Sequence, residues 1–120
     1  METGVAKHRI YSMKFGGLYP AYVNKVERKG RSKEELEKVI EWLTGYDCNE
    51  LAKVCADETD VEHFFLKAPK LNPSRSLIKG KICGVQIEEI EEDTMREIRY
   101  LDKLVDELAK GRPLEKIFRS

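Results

Sequence analysis

The segment between residues 72 and 81 has the residue types of an anion-binding site. Asn72 followed by Pro73 is typical of a helix start, where free backbone amides bind phosphate or carboxylate. Residues 67–81 include five basic residues and no acidic one, so the local field is positive. The predicted ligands are Asn72, Ser74, Arg75, Ser76, Lys79 and Lys81. The alternative is an ordinary capped helix in which Arg75 pairs with a carboxylate from residues 88–93.

The two histidines titrate nearest to neutral pH and are the candidates for acid–base catalysis. His63 follows Asp60 and Glu62, and His8 lies between two basic residues. A general base needs a positioned substrate and a partner group, and the sequence shows neither. The pattern favours a helix-surface histidine at 63 and a solvated or phosphate-facing one at 8, so the catalytic residues stay unknown.

The cysteine spacing does not fit the common metal-binding motifs. Cys48 and Cys55 would stand about 10 Å apart along a helix, which is too far for a disulfide or a shared ion. The chain has no Cys-x-x-Cys and no His-Glu-x-x-His pattern. We therefore predict no metal site and no cofactor. Cys83 follows Lys79 and Lys81, which favours a reactive thiolate, but a buried packing thiol is the more common role.

Charged residues cluster in two places. The carboxylates between Glu88 and Asp93 are typical of the amino end of a long helix, and the alternative is a pair of acids or a cation site. A basic cluster with tyrosines, a combination found in nucleic-acid-binding proteins, comprises Lys25, Arg28, Lys29, Arg31 and Lys33 with Tyr11, Tyr19 and Tyr22. Glutamates interrupt this cluster and the isoelectric point is near 6.7. Nucleic-acid binding is therefore the weaker interpretation.

Helix signals position these residues. Ser32 and Glu35 form a capping box that predicts a helix start, apolar residues follow at the spacing of one buried face, and Gly45 ends the helix. Pro20 predicts the start of a preceding helix that runs to Gly30 and buries Tyr19, Tyr22, Val23 and Val26. Together the two helices predict an αα-hairpin.

Further helices are predicted along the rest of the chain. Short ones follow Asp47 or Asn49 and then Asp60, which are capping residue types. A long helix is predicted from Asp93 to Lys110, with an apolar stripe made by Met95, Ile98, Leu101, Leu104, Val105 and Leu108. A final docked turn would hold Leu114, Ile117 and Phe118.

Two stretches, residues 8–15 and 81–90, do not follow a helical pattern. They are candidates to pair with each other as a small ribbon, although short apolar runs do not separate strand from helix. The predicted fold is mainly α: a compact multi-helix single domain over residues 1–120, with the option of a small two-stranded β ribbon.

The composition fits a small cytoplasmic protein. With 120 residues, 41% hydrophobic and 37% charged, the chain has the size of one domain and a highly charged surface. Basic and acidic residues balance at 22 each, so no net field attracts nucleic acid or an anionic membrane. No apolar run has the length of a signal peptide or a membrane span. We expect a soluble cytoplasmic protein that does not contact the membrane.

Several runs spread over nearly the whole chain form a recognisable set. They begin at His8 (HRIYSMKF), Tyr19 (YPAYVNKVERKGRSKEE), Trp42 (WLTGY), Ala68 (APKLNPSRSLIKG), Ile82 (ICGV) and Met95 (MREIRYLDKLVDELAKG). These runs resemble the bacterial family called domain of unknown function 2200. The resemblance implies a compact, mainly helical domain, and it carries over no activity and no catalytic residues.

We therefore predict a helical interaction module without catalytic activity, with a homodimer as one option. The dimer would use the apolar stripe of the long helix, with Tyr100 and Leu104 as contact residues, because the stripe is wider than a coiled-coil seam and zero net charge does not oppose association. The alternative is a small-molecule or phosphate-ligand protein, enzymes included, that uses residues 72–83. A bound anion or a concave pocket at this segment would separate the two.

Overall fold

The chain is mainly helical, as the sequence predicts. A computed structural model describes residues 9–82 and 84–119. The α-helices are α1 (Phe15–Glu27), α2 (Lys33–Thr44), α3 (Cys48–Ala56), α4 (Val61–Leu66), α5 (Asp93–Ala109) and α6 (Leu114–Ile117). The strands are β1 (Lys81–Ile82) and β2 (Val85–Gln86), and 3-10 turns cover Arg9–Ser12, Pro73–Leu77 and Ile87–Glu89. Within the described ranges, no helix is long and apolar enough to cross a membrane.

Helices α2, α3 and α4 begin at residues that the sequence predicts as caps. Ser32 Oγ accepts a hydrogen bond from the Glu35 amide at 3.1 Å, and the Glu35 carboxylate accepts one from the Ser32 amide at 3.1 Å. This is the predicted capping box. Asp47, and not Asn49, begins α3 with a box of the same kind. Asp60 caps α4 through its side chain.

Helix α1 begins at Phe15, well before the predicted start at Pro20, which lies inside the helix. Long-range contacts fix the observed start. The Phe15 amide donates to the Thr59 carbonyl at 2.9 Å, and Lys14 forms an antiparallel bridge with Asp60. The prediction was wrong because this anchor lies far away in the sequence, whereas the proline signal is local.

The packing of α1 depends on a glycine. Helix α1 lies against α2, which gives the predicted αα-hairpin, and also against α3. A Cβ atom on Gly16 would lie 2.8 Å from the carbonyl oxygen of Cys55 in α3. A Cβ atom on Gly17 would meet nothing within 4 Å. The two helices therefore approach so closely because residue 16 has no side chain.

The β ribbon forms within one of the two non-helical stretches, and not between them. Strand β1 pairs antiparallel with β2, with Lys81 opposite Gln86 and Ile82 opposite Val85. The described part of the other stretch forms the 3-10 turn Arg9–Ser12 and the start of α1. The predicted pairing between the stretches was wrong because adjacent strands close a much shorter loop.

The apolar stripe of α5 faces the core of its own chain. Helix α5 packs against α1, α2, α4 and α6. Leu104 and Leu108 are 0% exposed, and Tyr100 is 6% exposed. The prediction that Tyr100 and Leu104 form dimer contacts was therefore wrong, because helices of the same chain cover them.

Helix α6 docks the predicted final turn onto the core. Ile117 is fully buried. Phe118 stacks on Trp42 of α2, with ring centroids 5.9 Å apart and ring planes at 11°. The end of the described chain is therefore tied to α2 by an aromatic pair.

Candidate functional site

The predicted anion ligands lie along the 3-10 turn, the loop that follows it and strand β1. Asn72 caps the turn, because its Oδ1 accepts a hydrogen bond from the Ser74 amide at 2.8 Å. Lys79 and Lys81 are exposed. The Asn72 side chain thus occupies the Ser74 amide, which an anion at the helix start would need. The anion site formed by all six residues stays a prediction.

Arg75 is held by a carboxylate on α5. Its Nε donates to both carboxylate oxygens of Glu97, at 2.9 and 3.0 Å, and its Nη1 donates to the Asn72 carbonyl at 2.9 Å. The Glu97 side chain is only 11% exposed. The alternative pairing of Arg75 with residues 88–93 was wrong, because the 3-10 turn packs on the second turn of α5 and not on the segment before it.

A small polar cleft lies beside this ion pair. Its volume is about 300 Å³. We call it the arginine cleft, and its lining is Pro73, Arg75, Ser76, Arg96, Glu97 and Tyr100. Sequence reasoning found Arg75 and Ser76 but missed the residues of α5. The available signal was the i, i+4 spacing of Arg96 and Tyr100, which places them on one helix face.

A larger groove lies at the carboxyl end of α5, with a volume of about 540 Å³. We call it the basic groove after its cations, Lys103, Lys110, Arg112 and Lys116. Its carboxylates already have cationic partners. Asp106 lies 3.5 Å from Lys25 Nζ and 3.0 Å from Lys110 Nζ. Glu107 accepts hydrogen bonds from Arg119 at 2.7 and 2.8 Å.

The charge of the basic groove is only partly neutralised. Burial raises the pKa of Asp106, but hydrogen bonds and charges from Lys110 and Lys25 outweigh it and hold the pKa below its ordinary value. Asp106 therefore stays ionised and offsets lysine charge. The side chains of Arg112 and Lys116 form no ion pair within residues 9–82 and 84–119. They leave the groove with a positive surplus.

The predicted basic cluster adjoins this groove, but two of its three tyrosines are buried. Arg28 and Lys29 are exposed at the end of α1, beside Lys25. Lys25 in turn contacts Asp106 of the basic groove. Tyr11 and Tyr22 are buried, and their hydroxyls donate to the carboxylates of Glu92 and Asp102. The Tyr19 hydroxyl is also buried. Tyr11 and Tyr22 therefore offer no ring surface for nucleic-acid stacking, and only Tyr19 keeps a partly exposed side chain.

Arg31, another member of the predicted cluster, is structural. It donates to both Glu35 oxygens, at 3.0 and 2.9 Å, and to the carbonyls of Leu108 and Arg112 at 3.2 and 2.9 Å. The Arg31 hydrogen bond, followed by that from the Ser32 amide, lowers the pKa of Glu35 to about 2. Arg31 therefore joins the start of α2 to the end of α5.

The acidic stretch, residues 88–93, is exposed at the amino end of α5 except at Ile90, which is half-buried. Glu88 accepts hydrogen bonds from the Gly80 amide at 2.9 Å and the Gln86 side chain at 3.0 Å. The Gly80 bond is the main cause of the lowered pKa of Glu88. Among the residues that the structure describes, Glu89 and Glu91 have no partner for their carboxylates.

The remaining candidates for catalysis lie on helix surfaces or outside the described residues. His63 Nδ1 lies 2.7 Å from Asp60 Oδ1, the oxygen that also caps α4. Burial raises the pKa of the Cys55 thiol, and Cys48 is an exposed free cysteine. In the described part of the chain, no group of three or more His, Cys, Asp or Glu side chains could hold a metal ion. His8 and Cys83 lie outside that part.

Comparison with known proteins gives a family and a fold. A family model described as "Uncharacterized protein conserved in bacteria (DUF2200)" matches residues 9–119. The crystal structure of uncharacterized protein SP1917 is similar, with a TM-score of 0.88 and 44% sequence identity over 95% of this chain and 93% of that one. No curated protein matches the chain.

Proposed function

The chain belongs to the DUF2200 family of proteins conserved in bacteria, and we propose that it is a helical interaction module that pairs with a second copy of itself. In this proposal the acidic stretch of each copy occupies the basic groove of the other. The module acts as one domain, has no catalytic activity and works in the cytoplasm, where the free thiols of Cys48 and Cys55 stay reduced.

The observation that carries the proposal is the opposite charge of the two ends of α5. The helix has 17 residues, which corresponds to about 25 Å along its axis from Asp93 to Ala109. Glu89 and Glu91 at one end, and Arg112 and Lys116 at the other, are exposed. The surplus charges are too far apart to neutralise each other within one chain.

Both charged ends flank the same β ribbon, which supports a symmetric arrangement. Lys103 of the basic groove donates to the Lys81 carbonyl at 3.3 Å. Glu88 of the acidic stretch accepts from the Gly80 amide on the other side of β1. A two-fold axis across the middle of α5 would therefore place each acidic stretch opposite a basic groove, which is the self-complementary geometry of a closed dimer.

Magnitudes indicate that the association is weak. An exposed ion pair contributes about 0.2–1 kcal/mol, whereas association itself costs at least about 4 kcal/mol. Charge alone is therefore not enough, and an apolar contact must add to it. Leu77 is 48% exposed and follows directly after the residues that line the arginine cleft, so it is the side chain that we expect to supply this contact. We therefore expect a dissociation constant no lower than about 100 µM.

The experiment uses charge-reversed variants that leave the fold intact. Arg112→Glu with Lys116→Glu reverses the groove, and Glu89→Lys with Glu91→Lys reverses the acidic stretch. Sedimentation velocity at about 0.02 M and about 0.5 M salt measures association with weak and strong screening. We expect the wild-type protein to dimerise at low salt only. Each variant alone should be monomeric, because like charges then oppose each other at both contacts.

Mixing the two variants is the decisive measurement. Both contacts of the mixed pair have opposite charges, so the mixture should form a dimer with one copy of each. The control is Lys53→Glu with Lys67→Glu on α3 and after α4, which changes the net charge equally at exposed positions outside the groove and should leave the dimer unchanged. A wild-type monomer at every concentration, or a mixture that stays monomeric, would refute the proposal.

A further inference from the structure

We infer that the arginine cleft binds a small molecule through a carboxylate or phosphate group. This inference is separate from the proposed dimer, since it rests on different residues and on hydrogen-bond donors rather than on net charge. It also differs from the helix-start site predicted from the sequence, because the donors are side chains contributed by two distant segments of the chain.

The cleft presents two guanidinium groups whose orientation is already fixed. Arg75 is held by Glu97 and by the Asn72 carbonyl. Arg96 donates its Nη1 to the Ile90 carbonyl at 2.8 Å and its Nη2 to Asp93 at 2.6 Å. A guanidinium has only donors, and its planar fork matches an oxyanion.

Each guanidinium keeps donors that the protein does not use. Nη2 of Arg75 and Nε of Arg96 form no hydrogen bond with any described residue. Because fixed donors lose little side-chain entropy on binding, they favour an anion of matching shape. Glu97 is a positioning residue here, since it holds Arg75 through both oxygens.

Tyr100 is the independent observation that points to a ligand. It is 6% exposed and lines the cleft. Its hydroxyl forms no hydrogen bond within the described part of the chain. In that part, the fully buried side-chain atoms without a hydrogen-bond partner are Tyr19 Oη and Arg99 Nε, so the Tyr100 hydroxyl is not fully buried. The small exposed part of Tyr100 therefore includes an unused hydroxyl, although buried tyrosines usually give theirs a partner.

Size and charge limit the kind of ligand. A volume of about 300 Å³ is at the lower end of the range for small-molecule sites. Glu97 and Asp93 each offset one guanidinium charge, so the affinity must come from directed hydrogen bonds. We expect binding in the range of about 0.1–1 mM for a simple oxyanion.

The test follows amide chemical shifts during titration with inorganic phosphate and, separately, with succinate, up to about 20 mM. We expect saturable shifts at Ser76, Arg96 and Tyr100 with at least one probe. Saturation by phosphate alone assigns a phosphate group to the ligand, and saturation by succinate alone assigns a carboxylate. The same titration in the Arg112→Glu, Lys116→Glu variant should give the same result, because the basic groove is not part of the cleft.

Variants separate the cleft from unspecific binding. Tyr100→Phe removes only the hydroxyl and should weaken binding about tenfold, as expected for one hydrogen bond to a charged group. Arg96→Lys keeps the charge but loses the fork and should weaken binding at least as much. Tyr19→Phe, the matched control, removes a buried hydroxyl outside the cleft and should leave the affinity unchanged. Absence of saturable shifts, or equal affinities in all variants, would overturn the inference.

Discussion

The contact between α1 and α3 at Gly16 gives a sharp test of the packing. A Cβ atom at this position would lie 2.8 Å from the Cys55 carbonyl oxygen and 3.2 Å from its Cα. Both atoms belong to the backbone, so α3 as a whole must move. Overpacking of this kind costs about 1–3 kcal/mol. Replacing glycine in a helix returns at most about 1 kcal/mol, so Gly16→Ala should destabilise the protein.

Gly17→Ala is the matched control, because it makes the same chemical change one residue later, where a Cβ atom meets nothing within 4 Å. This variant should be as stable as the wild type or up to about 1 kcal/mol more stable. The gap between the two variants therefore measures the overpacking cost alone. At roughly 4 °C per kcal/mol for a chain of this size, their Tm values should differ by about 4–12 °C.

Urea unfolding followed by circular dichroism would measure the gap, with thermal unfolding as a second readout. The slope of the unfolding free energy against urea should be the same in both variants, so that a difference in midpoint reports stability. If Gly16→Ala and Gly17→Ala unfold at the same urea concentration, the close approach of α1 to α3 is not what residue 16 provides.

Two further predictions concern backbone conformation and pH. Gly45 and Gly111 both have positive φ, +85° and +93°, but a Cβ at Gly45 would lie 2.8 Å from the Lys70 nitrogen, whereas a Cβ at Gly111 would meet nothing within 4 Å. Gly111→Ala should lower the free energy of unfolding by about 1–2 kcal/mol, from backbone strain alone. Gly45→Ala should lower it by about 1–3 kcal/mol more, because overpacking adds to the strain, and urea unfolding measures both. The pKa of Glu35 is lowered from 4.5 to about 2, so its stabilising effect is complete above pH 4.5 and is lost as the pH falls through about 2. Glu35→Gln should therefore unfold at lower urea than the wild type at neutral pH, with a gap that narrows across this window; a constant gap would contradict the assignment.

Helix boundaries were predictable where the signal lies within one turn. The capping box of Ser32 and Glu35 and the caps at Asp47 and Asp60 each involve residues three apart, so the sequence displays both partners. The start of α1 was not predictable in this way. It depends on Thr59, whose carbonyl binds the Phe15 amide across most of the first half of the chain.

The candidate sites were predictable only in part, because they depend on tertiary pairing. The sequence predicted Arg75 as an anion ligand, but not that Glu97 would hold it or that Tyr100 would lie beside it. Likewise, hydrophobic periodicity gave the stripe of α5 correctly but could not tell whether the stripe meets a partner or the same chain. Leu104, fully covered by its own chain, shows that it meets the same chain.

The position of α5 also determines when the protein can fold during synthesis. Helices α1 and α2 bury their apolar faces against α5, which is synthesised after them. Arg31 also donates to the carbonyls of Leu108 and Arg112, so these hydrogen bonds cannot form until the end of α5 has been synthesised. Until the ribosome has released α5, the first hairpin carries uncovered apolar surface, which exposes it to aggregation and to chaperones. The native core should therefore form only after α5 has left the ribosome, in one step with the arrival of this helix.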